Sequence, residues 1–351
     1  MKFSRLALSL FSTCSIVLLF FVSTTAAWAE DQDAQDSTQE TTAASDQAED
    51  VPTANADTKA STENATADKV ATAASPTATT SIDDLTKAIA ADSKNAENYF
   101  NRGNAYFAAK QYKEAIDDFT KCIALDEKDA MSYYYNRGNA YLFSNQFDNA
   151  IADFTKVIAL EPKMYQAYIN RALAYSSIDQ YQKAIADYTT AESMKDEHQK
   201  IYALRGWEYY QNKQYKEAIA DYKKAMVITP NDAHLDFNFG LAYLYANQLP
   251  EAMALFDKSL ALDPSNVWVN YNRGMIFLMT GKSDDAVAQF DIVLTGQPEY
   301  GDAHYYKGLA LKKSGKNDQA TQEFNLAVKF KSPHVNVPYD DVKDVKSIKL
   351  D

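Results

Sequence analysis

The chain has 351 residues, a formal charge of −13 and a hydrophobic share of 46%, enough for several small cores or one long array. So acidic a balance excludes nucleic-acid binding by phosphate neutralisation and excludes a polybasic membrane patch. Of its two cysteines, Cys14 and Cys122, the first lies in a segment that reads as removable, so no intramolecular disulfide staples the fold.

Residues 1–29 read as a secretory signal peptide. Lys2 and Arg5 give the positive start, Leu6 to Val22 the apolar stretch, and Ala27-Trp28-Ala29 the small-x-small cleavage site before Glu30. Export to the periplasm or the exterior is expected, or to the endoplasmic reticulum lumen in a eukaryote. An uncleaved anchor is the alternative, because the apolar stretch is just long enough to span. No other segment is a transmembrane candidate. Residues 30–80 hold 11 acidic residues, two lysines and no aromatic residue. Such a segment buries too little apolar area to offset its conformational entropy, and an unstructured acidic linker is expected.

Ser81-Ile-Asp-Asp84 has the form of a helix-capping box, and Leu85, Ala88 and Ile89 come after it at helical spacing. Residues 81–95 therefore read as half of a helix pair, covering the open face of the first full pair. From Ala96 the chain repeats itself about every 34 residues. A small residue recurs at Gly103, Gly138, Ala172, Gly206, Gly240, Gly274 and Gly308. An aromatic or leucine stands three residues later, an alanine twelve later (Ala115, Ala150 and onward), and an aromatic four beyond that (Phe119, Phe154, Tyr188, Tyr222, Phe256, Phe290 and Phe324). Pro162, Pro230, Pro264 and Pro298 close four of the units. Small residues let neighbouring helices approach, and proline ends a helix because its ring cannot continue the hydrogen-bond ladder. The polar turn inside each pair is marked by Lys110-Gln111 and its counterparts.

This pattern resembles the tetratricopeptide-repeat family, whose W-x-x-L-G-x-x-Y…A-x-x-x-F…P signature it matches over Ala96 to about Lys331. It departs in having Tyr99, Tyr134, Tyr168 and Tyr202 in place of tryptophan, and Arg102, Arg137, Arg171, Arg205 and Arg273 in place of leucine. The resemblance implies an all-α fold, an α-solenoid of helix–turn–helix repeats wound into a right-handed superhelix. Seven repeats are expected at 96–129, 131–164, 165–198, 199–232, 233–266, 267–300 and 301–331, with a C-terminal tail over 332–351. Val342, Val345 and Ile348 stand at helical spacing in that tail, as a docked cap requires.

The resemblance also implies where a ligand sits: on the concave side lined by first helices, at positions six, three and two before the small residue and one, four and five after it. Those positions carry Asn101, Asn136, Asn170, Asn238 and Asn272, with Asn104 and Asn139 beside them. A carboxamide both donates and accepts, matching the alternation of an extended peptide backbone. The arrangement resembles the asparagine ladder of O-linked N-acetylglucosamine transferase. Aromatic anchors are available at Phe100, Tyr135, Trp207, Phe237, Trp268 and Tyr271. The blander readings stay open: asparagine also solvates helices, and inward rings also pack on adjoining helices. The family's carboxylate-clamp members are a poor fit, since Phe100, Gln166 and Asn170 stand where the clamp needs basic residues.

Chemistry has little to work with. His198, His234, His304 and His334 are scattered, Cys122 has no neighbouring base, and pairs such as Asp117-Asp118 and Asp284-Asp285 read as solvated faces. The expectation is a non-enzymatic scaffold without cofactor or metal, which binds an extended, partly apolar segment of a protein partner in envelope or secretory-compartment assembly. The alternative is a self-associating or bridging repeat protein without a peptide groove.

Overall fold

A computed structural model describes residues 81–194 and 199–336. The signal peptide and linker expected over 1–80, and the cap expected after 336, lie outside them. Among the described residues the fold is all-α. A single helix, α1 (Ile82–Ala91), precedes α2 (Ala96–Ala108), α3 (Tyr112–Leu125), α4 (Ala130–Phe143), α5 (Phe147–Leu160) and α6 (Tyr165–Ser176). Then come α7 (Tyr181–Glu192), α8 (Gln199–Gln211), α9 (Tyr215–Ile228), α10 (Ala233–Tyr245) and α11 (Leu249–Leu262). The last four are α12 (Val267–Met279), α13 (Ser283–Gly296), α14 (Gly301–Lys313) and α15 (Asn317–Lys329), and a 3₁₀ turn at Pro333–Asn336 comes after them. Two compact units contain them, residues 1–180 and 181–351. Within each unit, helices pack consecutively as solenoid pairs.

The helix ends are set by their residues. Ser81 accepts from the Asp84 amide at 3.1 Å while its hydroxyl donates to the Asp84 carboxylate at 2.8 Å, so the serine caps the helix where its sequence predicts, although the carboxylate takes the hydroxyl and not the Ser81 amide. Asn95, Asp232 and Asn266 cap α2, α10 and α12 in the same way. Where proline closes a unit, the helix stops two residues earlier, at Leu160, Ile228, Leu262 or Gly296. Inside each pair the turn is one left-handed residue. Lys110, Asn145, Lys213 and Asn247 have φ of 58–61°, and Gly281 and Gly315 take the same place at 78° and 76°. The amide of the next residue reaches back five positions, as from Gln111 to the Tyr106 carbonyl at 2.8 Å, which satisfies carbonyls a helix end leaves bare.

The small residues do what their spacing predicts, against a named partner. A Cβ on Gly103 would stand 2.8 Å from the Phe119 ring, and one on Gly240 would stand 2.6 Å from Phe256. Wherever the small residue is glycine, the closing aromatic of the unit therefore packs against the glycine of its own first helix. The spacing alone suggests a place between units. Phe119, Phe154, Phe256 and Phe290 are fully buried there.

The arginines that replace the family's leucine form a polar tie. Arg102 donates twice to Asp118, from Nε and Nη2, each at 2.8 Å, and from Nη1 to Thr86 at 3.1 Å. Arg137 repeats this with Asp153 and Thr120, and Arg205 with Asp221 and Thr189. Each threonine donates its own hydroxyl to the carbonyl four residues back, leaving a lone pair for the guanidinium. Tyrosines three before and four after each arginine flank it, 5.4–5.9 Å from ring centre to guanidinium. The hydrogen bonds of Asp118 hold Arg102 above its ordinary range. Burial alone would lower Arg205, but Asp221 and Glu192 outweigh it and hold it raised. One expectation is thereby corrected. Asp118 is 4% exposed and ion-paired, not part of a solvated face, whereas Asp117 and Asp284 are exposed as expected.

Candidate functional site

The expected groove residues sit on the first helices, α2, α4, α6, α8, α10 and α12, and the units treat them differently. In the first unit Asn101 is exposed and Asn104 half-buried. Asn136 donates to the carbonyl of Ser132, 2.9 Å away on its own helix. Asn170 donates to the Asn139 carbonyl oxygen at 2.9 Å and to the Tyr135 hydroxyl at 3.2 Å, which ties α6 to α4. Burial pushes the Tyr135 phenol up to about 12, against the opposing pull of those two amides. The Tyr135 ring meets Phe154 at 6.0 Å, and Phe100 packs on Phe119 and Tyr133 at 5.9 and 5.5 Å.

In the second unit Trp207 stacks on Tyr210 at 5.4 Å, and Tyr210 meets Tyr245 edge-on at 5.5 Å. Phe237 leans on Phe256 at 5.9 Å. Trp268 is 43% exposed, with Tyr271 and Tyr300 against it at 6.4 and 5.2 Å. Asn272 donates to the Trp268 carbonyl at 2.8 Å.

Two of the seven asparagines, Asn139 and Asn238, are 5% and 4% exposed. The carbonyl oxygen of Asn139 accepts from Asn170. Asn101, Asn104 and Asn136 remain partly open in the first unit, and in the second Asn272 does so on the same helix as the half-buried Tyr271 and the exposed Trp268. Sequence reasoning missed Tyr300, which completes the ring cluster around Trp268 and Tyr271 from the turn between repeats. Its position just before the next first helix was the available signal.

Models of the tetratricopeptide repeat match residues 96–129, 132–164, 165–198 and 271–335, and a model of the TPR repeat matches 206–245 and 240–281. The chain belongs to the tetratricopeptide-repeat family. Solved tetratricopeptide-repeat structures share its fold. One, from Parabacteroides merdae, is 17% identical with a TM-score of 0.54, covering 71% of this chain and 96% of its own. The C-terminal part of a TPR repeat-containing protein from Cytophaga hutchinsonii is 20% identical with a TM-score of 0.55, covering 67% and 95%. PilW, a type IV pilus biogenesis factor, is 20% identical with a TM-score of 0.51, covering 57% and 94%. No curated protein matches the chain at a significant level.

As a tetratricopeptide-repeat protein the chain is a protein–protein interaction scaffold. Among the described residues no group of three His, Cys, Asp or Glu could hold a metal ion, and no helix is long and apolar enough to cross a membrane. Cys122 is fully buried, its thiol 3.4 Å from the Ala96 carbonyl oxygen. Burial pushes that thiol up to about 12, so it is a packing residue and a poor nucleophile.

Proposed function

We propose that this repeat protein is exported and holds an extended, partly apolar segment of a protein partner against its first-helix faces, in envelope or secretory-compartment assembly. The observation that carries the reading is the contrast around Trp268. Every closing phenylalanine from Phe119 to Phe290 is fully buried, while this larger ring stands 43% open beside half-buried Tyr271 and Tyr300. A rigid aromatic with open amides close by (Asn272 on the same helix) suits a partner's apolar side chain and main chain together. Each amide bond adds only about 0.5–1.5 kcal/mol net, so the rings supply most of the affinity. The charge balance of residues 1–29 supports export.

The test is partner capture by cross-linking in the native cells, comparing the parent with Trp268→Ala and with Asn272→Ala. Loss of the same partner from both variants supports the groove. Unchanged capture favours the bridging reading, for which Val227, 83% exposed on a second helix, is the available contact. Sequencing the mature N-terminus checks export, with Glu30 expected first.

A further inference from the structure

Two residues after the small residue, each first helix presses on the repeat before it. Ala140 clusters there with the closing ring Phe119, Ala242 with Tyr222 and Ala310 with Phe290. Repeats one, three and six hold Ala105, Ala174 and Ile276 at this place, whereas repeat four holds Glu208, which is 2% exposed. The departure is matched on both sides. The closing ring is tyrosine only in repeats three and four, at Tyr188 and Tyr222, and phenylalanine elsewhere. By the repeat register Glu208 faces Tyr188. Tyr222 packs on Gly206 of the same helix, its Cε1 3.0 Å from where a Cβ would stand.

Tyr188 and Tyr222 are 0% and 1% exposed, and among the described residues neither hydroxyl has a hydrogen-bond partner. Burial, and after it the charge of Glu208, raises both phenols above their ordinary range. The carboxylate and the two hydroxyls therefore share one interior without bonding to each other. Three polar groups in place of alanine and two phenylalanines call for a common partner, because a buried hydroxyl left unpaired costs stability. We propose that Tyr188, Glu208 and Tyr222 hold one internal water molecule at the junction of repeats three and four. The water accepts from both phenols and donates to the carboxylate, about the three bonds usual for a buried water. A carboxylate has about four accepting positions, so Glu208 keeps room for other partners. A metal ion would leave both phenolic protons without an acceptor, and an anion would be repelled by Glu208.

The test counts long-lived waters by water-oxygen magnetic relaxation dispersion. The parent is compared with the triple variant Tyr188→Phe, Glu208→Ala and Tyr222→Phe, which copies the residue types of the other repeats. The variant is expected to hold one long-lived water fewer, and equal counts overturn the proposal. A second measurement needs no substitution. A crystal structure of the parent is expected to show one water within about 2.6–3.2 Å of both hydroxyls and a Glu208 oxygen. A metal ion there, or phenols bonded directly to Glu208, overturns the proposal. Neither measurement involves a partner protein, so the result is independent of the proposed function.

Discussion

Repeats two and five solve one packing problem in opposite ways. In repeat two, Arg137 and Asp153 meet through two hydrogen bonds of 2.7 and 2.8 Å, with side chains 16% and 6% exposed. In repeat five the same two places hold Phe239, which is 4% exposed, and Leu255, which packs into the surrounding apolar cluster. Both fill the space between first and second helix. Arg137 reaches beyond its own repeat by a hydrogen bond, to Thr120 of the one before, and Phe239 does so by a ring contact, 5.8 Å from Tyr222. Repeat six falls between them. Its Arg273 finds glutamine at the aspartate's place and turns to Asp257 instead, 3.2 Å away. That contact is off the N–H axis, and both Arg273 Nε and Gln289 Oε1 are buried without a hydrogen bond. Repeat seven exchanges the residue types and keeps the charges, with Lys307 2.6 Å from Glu323. The polar solution has to offset the desolvation of its charges, and the apolar one has none to offset.

The largest expected effect comes from breaking the polar pair on one side. Asp153→Ala strands a buried guanidinium and is expected to cost about 3–5 kcal/mol in urea unfolding. Arg137→Phe with Asp153→Leu, which copies repeat five, is expected to recover to within about 1.5 kcal/mol of the parent. A double variant as weak as the single one breaks the equivalence of the two solutions.

Alkaline pH sharpens the comparison next, because Arg102 and Arg205 are held above their ordinary range and keep their charge there. Buried phenols do not. Burial pushes Tyr135 and Tyr300 each to about 12 from an ordinary 10.0. A tyrosine that ionises later when folded contributes stability in full below pH 10, and that stability is lost as pH rises from 10 through 12. Urea midpoints should fall by the equivalent of about 1.4 kcal/mol per pH unit for each such tyrosine across this window. Tyr135→Phe should remove one share of the loss.

A smaller gain tests the intermediate case. Gln289→Asp returns to Arg273 the partner its counterparts have, and about 1 kcal/mol of added stability is expected by the same urea measurement. Smallest of all, Lys213→Gly relieves a side chain held at φ 61°. It should raise the midpoint by about 0.5–1 kcal/mol, whereas the same change at a helix-interior lysine should lower it.

The repeat period and the helix pairs were legible because residue types recur at one spacing, whereas the packing of each closing ring on its own first helix was not. The arginine tie was not, although both halves were in view. Arg102 and Asp118 stand 16 residues apart across a turn, and only the pairing of the helices brings them together, so the acid read as solvated. The groove was legible by position and illegible by orientation. Asn139 and Asn170 are 31 residues apart and turn towards each other, because the offset between successive first helices aligns them, and nothing in either residue's neighbours along the chain announces it.

The ties from Thr86 to Arg102, Thr120 to Arg137 and Thr189 to Arg205 each span one junction and no more. An array joined in this way can grow or shrink by whole modules, since excision of one leaves the hydroxyl before it and the guanidinium after it ready to meet. At the junction into repeat five, Phe239 replaces the guanidinium, and its ring contact with Tyr222 of repeat four, 5.8 Å between centroids, takes the place of the hydrogen-bonded clasp.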